Sequence, residues 1–132
     1  MEEIGELLGF AIIFFYALAM LKFVFKLISK LFENKLMKND KVYIIYKKKY
    51  KFVMKYHSLF GFITILFILI HFVVQFTSEG LNIYGVLAGT AMIIQVLLGV
   101  YGTKAKHKFK YWSLIHKILA AIILLMIIIH TV

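Results

Sequence analysis

The chain has 132 residues, 63% of them hydrophobic, and a mean hydropathy of +0.91. A soluble domain of this length has too little polar surface to cover so apolar a core, so composition selects a membrane and a single domain. The net charge is +10 and all sixteen basic residues are lysine. They crowd between long apolar runs, which fits a membrane surface and excludes nucleic acid as the partner.

Two absences narrow the chemistry. Without cysteine there is no disulfide, no thiolate-held iron–sulfur cluster and no Cys-x-x-Cys-His attachment. Without proline nothing forces a helix kink. The sequence also lacks a Gly-rich phosphate loop, so no nucleotide or flavin site is expected.

The first predicted membrane span covers residues 7–28, with Lys22 and Lys26 able to snorkel at its end. Its acidic approach, Met1-Glu2-Glu3-Ile4-Gly5-Glu6, has the wrong sign for a signal peptide, so the span is expected to be retained. Residues 33–55 form a basic segment that mixes lysine with Tyr43, Tyr46 and Tyr50. That composition predicts a connecting segment, helical or extended, lying along the lipid headgroups. Three further spans are predicted at residues 56–76, 81–101 and 112–132.

Eleven lysines fall between Lys22 and Lys55, and the other five between Lys104 and Lys117. Neither the N-terminal stretch nor the turn Thr77-Ser78-Glu79-Gly80 holds any. The positive-inside rule therefore predicts a multi-pass protein of the cell membrane with cytoplasmic lysine-rich loops and both termini outside. The second and fourth spans then run parallel, from inside to outside.

Those two spans carry the candidate site. His57 and His71 lie fourteen residues apart on the second span, and His116 and His130 lie fourteen apart on the fourth. Fourteen residues of α-helix rise about 21 Å and complete nearly four turns, so each pair shares one helix face. Parallel helices bring His57 level with His116 near the inner surface, and His71 level with His130 near the outer one. Two facing imidazoles per level are the axial ligand set of a six-coordinate haem iron. The pattern predicts two non-covalent b-type haems, with His57 and His116 on the inner iron and His71 and His130 on the outer. Gly61, Gly85 and Gly99 are candidate cofactor-contacting positions: Gly61 lies four residues from His57, and Gly85 and Gly99 repeat the spacing of fourteen. Lys55 and Lys117 are placed to neutralise propionates at the inner level. Gln75 and Gln95 are polar within the spans and can satisfy each other, a propionate or a quinone carbonyl. His107, in the last lysine-rich loop, reads as solvated.

Two histidine-bearing helices flanking a helix with glycines fourteen apart resemble the first four helices of the cytochrome b subunit of quinol–cytochrome c reductases. The pattern is also similar to the membrane core of ferric reductases and NADPH oxidases. The resemblance spans His57 to His130. It implies axial ligation by His57, His71, His116 and His130, and close approach of haem edges at Gly85 and Gly99. The paired glycines of that family's first helix have no counterpart here, because Ala19 and Phe23 stand fourteen residues after Gly5 and Gly9. The quinol-oxidising role is not carried over.

The expectation is an all-α membrane protein, a bundle of four transmembrane helices enclosing two haems. It relays electrons as a subunit of a larger oxidoreductase rather than acting as an enzyme alone. Its expected partners are membrane lipid, a redox subunit or soluble electron carrier, and a quinone. Two other classes compete: a histidine-based metal ion transporter, and a non-redox assembly subunit whose histidines only join helices. The transporter needs carboxylates clustered with histidine at one depth. No carboxylate falls between Lys55 and Gln75, or beyond Glu79.

Overall fold

The computed structural model describes residues 2–131, together with every side chain in that range but that of Glu2. It consists of four helices: α1 (Glu2–Leu36), α2 (Asp40–Glu79), α3 (Ile83–Lys104) and α4 (Trp112–Thr131). Each contains a stretch long and apolar enough to cross a membrane. The predicted end of the last span, Val132, lies outside the described residues.

The helices start and stop where backbone groups find partners. Asn39 caps α2 by accepting the Val42 amide at 3.3 Å. Asn82 caps α3 by accepting the amides of Tyr84 and Gly85 at 3.0 and 3.1 Å. Between them Gly80 closes α2 with φ of 84°, a left-handed backbone that glycine adopts without a Cβ penalty.

Of the two forms expected for residues 33–55, the structure has the helical one over most of the segment. The connection shrinks to residues 37–39, and Asp40 to Lys55 continue the second span as one helix. The cause is local: Asn39-Asp40 is a helix start signal, and neither Gly nor Pro interrupts the chain until Gly61. α2 has 40 residues, about 60 Å of helix against about 30 Å of bilayer hydrocarbon. α3 and α4, at 22 and 20 residues, match the bilayer. The α1–α2 hairpin therefore projects past α3 and α4 on the lysine-rich side. Tyr46 stitches the projection together: it is buried, and its hydroxyl donates to the Phe25 carbonyl at 2.8 Å and pairs with Ser29.

Sequential helices pack side by side, and α1 also touches α4, closing a four-membered ring. α2 and α4 stand on one diagonal, α1 and α3 on the other, with no close backbone approach across either diagonal. Tyr16, Met92 and Ile123 form the core at mid-height. Ile123 and Thr64 are the most completely buried side chains, at 1% and 0% exposure. Much of the remaining large apolar surface, including Leu7, Leu66, Leu97 and Leu125, faces outward, as lipid contact requires.

Candidate functional site

α2 and α4 present their histidines to each other across the diagonal, one pair at each end of the mid-height core. The His57 and His116 ring centres are 6.3 Å apart, and those of His71 and His130 are 6.4 Å apart. The expected level matching is therefore present, and α2 and α4 are parallel. The rings meet nearly edge to face, at 76° and 85°. His107 lies away from both pairs, exposed in the α3–α4 connection.

α1 has a part in the site that its sequence does not announce. The Nδ1–H of His57 donates to the Ala19 carbonyl at 3.0 Å, and that of His71 donates to the Gly5 carbonyl at 3.1 Å. A carbonyl only accepts, so both Nδ1 atoms carry the proton and each Nε2 keeps a free lone pair. This contact commonly orients metal-bound imidazoles. Gly5 and Ala19 are themselves fourteen residues apart. The signal was in the sequence, as a small residue at each end of that spacing rather than a glycine pair.

On α4 the situation differs. The Nδ1 atoms of His116 and His130 are buried without a hydrogen-bond partner among the described residues. An orphaned buried polar atom costs about 1–3 kcal/mol, which a ligand at that position would remove. Gln95 donates to the His116 carbonyl at 2.8 Å and leaves its own Oε1 buried and unpaired. It does not pair with Gln75, which lies against Gly5 at the other end of the bundle.

Trp112 braces His116. Its ring stacks on the imidazole with centres 5.9 Å apart and planes 20° apart, and its Nε1–H donates to the Leu98 carbonyl at 2.8 Å. Gly102 makes this possible, because a Cβ there would overlap the indole. Two of the candidate glycines touch the histidines directly. A Cβ on Gly85 would lie 3.1 Å from His130 Cε1, and one on Gly99 would lie 3.5 Å from His116 Cε1. Gly9 has the same relation to His71 at 3.9 Å. Gly61 faces Val96 of α3 at 3.6 Å, so the structure gives it a helix contact and no histidine contact.

A cavity of about 330 Å³ opens between the helices at the His71–His130 end. Gly9, Gly85, Met92 and Ile127 line it beside the two histidines. Its walls are almost wholly apolar, as a flat apolar ligand requires.

The donor set selects among possible occupants. Among the described residues no group of three or more His, Cys, Asp or Glu side chains gathers at one point. Two imidazoles fall short of the four ligands that a bare zinc ion prefers. Two imidazoles would instead suit a metal that is held by a further group of its own. The ring separations would leave room for one metal ion: a metal–imidazole bond of about 2 Å, with each ring nitrogen about 1.1 Å from its ring centre, would give ring centres about 6.2 Å apart. No protein family matches the chain, and neither a curated protein nor a solved structure shows significant similarity to it.

Proposed function

We propose that this chain is a dihaem b-type cytochrome that relays electrons across a membrane as a subunit of a larger oxidoreductase. The observation that carries the reading is the pair of facing histidine rings at each level, 6.3 and 6.4 Å apart across the diagonal of the bundle. His57 and His116 are the axial ligands on the lysine-rich side, and His71 and His130 those on the far side. Bound haem supplies reversible one-electron chemistry. The protein's own part is orientation and exclusion of water. The carbonyls of Ala19 and Gly5 hold the Nδ1 protons of His57 and His71, which aims their Nε2 lone pairs at the centre of the bundle. Trp112 fixes the plane of His116. Gly85 and Gly99 keep α3 clear of the imidazoles. Lipid-facing apolar side chains keep bulk water from both levels, which tunes a buried redox centre together with its ligands.

In the cell the lysine-rich end of this cytochrome faces the cytoplasm, by the positive-inside rule. The donor and acceptor are a partner subunit, a soluble carrier or a quinone. The test is a reduced-minus-oxidised spectrum and pyridine haemochrome count on the purified protein, repeated on four single variants. The expected result is two low-spin haems in the parent. His57→Ala and His116→Ala each lose one centre, and His71→Ala and His130→Ala each lose the other. A purified protein that folds and takes up no haem refutes the proposal.

One observation favours a second reading. The bonds from His57 to Ala19 and from His71 to Gly5 join α2 to α1 without any ligand. In a non-redox assembly subunit those bonds would be the histidines' whole purpose. The reading predicts that His116 and His130, which lack such bonds, tolerate Leu with no change in any spectrum.

A further inference from the structure

Lys22 stands apart from the other lysines near the sites. It lies on α1 three residues past Ala19, whose carbonyl takes the His57 bond. That is about one helical turn toward the lysine-rich end. Its side chain is half-buried, whereas Lys55 and Lys117 are exposed. Lys55 is spread over the Tyr56 ring, 5.3 Å from its centre. Half-burial one turn past the carbonyl that holds His57 puts Lys22 at the lysine-side level rather than out in solvent. It has no counter-ion: the one ion pair among the described residues is Lys47–Glu33, farther out on the hairpin. Its charged neighbour is Lys26, of the same sign. An unpaired ammonium that is half withdrawn from water beside a second cation calls for an anion. The far-side level has the opposite surroundings: no lysine lies in the N-terminal stretch or the 77–80 turn, and Glu79 closes α2 there.

We propose that Lys22 is the anion-binding residue of the lysine-side level, and that it holds a carboxylate of the group ligated by His57 and His116. The assignment rests on the haem reading, and for haem that carboxylate is a propionate. A lipid phosphate at the membrane surface offers the same charge from another source.

The experiment separates the two. His71→Ala protein, which keeps only the lysine-side pair, is prepared free of haem in neutral detergent. It is titrated with haemin and, separately, with haemin dimethyl ester, whose carboxylates are uncharged. The expected result is about tenfold tighter binding of haemin than of the ester, the worth of one charge-assisted bond. Lys22→Gln abolishes that preference, Lys22→Arg retains it, and Lys55→Gln and Lys117→Gln leave it unchanged. In parallel, the Soret band of the Lys22→Gln variant reports that the histidine pair still ligates. A haemin-to-ester ratio that survives Lys22→Gln overturns the assignment. So does a ratio that is lost in Lys22→Gln only when phosphatidylglycerol is present, which would give Lys22 to the lipid. Failure of the parent protein to bind either compound overturns the haem reading itself, and the assignment with it.

Discussion

Gly102→Ala tests whether the packing around His116 is built as the structure shows. The new Cβ would occupy space now filled by the Trp112 ring, so the indole must leave its slot. Three losses follow. The Leu98 carbonyl bond is broken, at about 1–3 kcal/mol when the group stays buried. The stack on His116 is lost, at about 0.5–1.5 kcal/mol. Residual overlap adds about 1–3 kcal/mol. Alanine returns about 1 kcal/mol through its better helix propensity. The partial relief of one loss by another leaves a net destabilisation of about 2–4 kcal/mol.

The informative measurement is the same change in a Trp112→Ala background. With the indole gone, nothing opposes the Cβ, and Gly102→Ala becomes neutral or stabilising by up to about 1 kcal/mol. The sign of the effect thus reverses with the partner. Reversible unfolding in mixed micelles, followed by circular dichroism, gives the four free energies of the cycle. On the haem reading, Gly102→Ala also broadens the lysine-side spectrum and spares the far-side one, since the histidine that Trp112 stacks on is His116. Equal destabilisation in both backgrounds would show that Gly102 serves some purpose other than seating Trp112.

Replacing Gly85 with Leu should evict the far-side centre alone, and replacing Gly99 with Leu the lysine-side centre alone, because each glycine faces one histidine; haem counts of 2:1:1 in parent and variants check this, and loss of both centres in each variant refutes it. The projecting hairpin should steer an acidic electron carrier to the lysine-side level. The rate of haem reduction by an acidic ferredoxin, measured in neutral nanodiscs, should then fall steeply with salt and drop further when Lys47, Lys48 and Lys49 become Gln. A rate indifferent to both would leave those lysines with topology and lipid as their roles.

Four membrane-length helices, their parallel and antiparallel order, and the level matching of the histidines were all legible in the sequence. Apolar length and fixed spacing encode them directly. The extent of α1 and α2 was not. A hydropathy window responds to about twenty apolar residues and stops where lysines begin, yet lysine is a good helix former and nothing after Asn39 interrupts the helix. The Asn39-Asp40 start signal was present and was outweighed by the lysine count. The role of α1 was hidden for a different reason. Gly5 and Ala19 act through their backbone carbonyls, so the small residues at that spacing do not by themselves name a partner. Trp112 and Gly102 were missed because their relation is three-dimensional. A tryptophan near a span end reads as an interfacial anchor until its slot on the neighbouring helix is seen. Lys22 was read as a snorkelling end residue, and Lys55 and Lys117 were preferred on nearness in sequence to His57 and His116. The structure half-buries Lys22 and leaves Lys55 and Lys117 exposed.

The spacing of fourteen runs through all four helices, and its midpoint explains why the bundle has two sites and not one long channel. Seven residues on from Gly5, His57, Gly85 and His116 stand Ile12, Thr64, Met92 and Ile123, and all four are buried. Seven more lead to Ala19, His71, Gly99 and His130. A repeat of seven stays on one seam only when helices coil leftward about each other, at 3.5 residues per turn instead of 3.6. A straight helix would accumulate a lag of about 40° between the two histidines of a pair. The same register that aligns the two levels therefore forces four side chains to meet halfway between them. Tyr16 seals that layer by donating its hydroxyl to the Ala120 carbonyl of α4. The buried middle layer separates the two levels, so a change that widens one leaves the packing of the other in place. On the haem reading, the buried side chains of Tyr16, Met92 and Ile123 lie between the two levels.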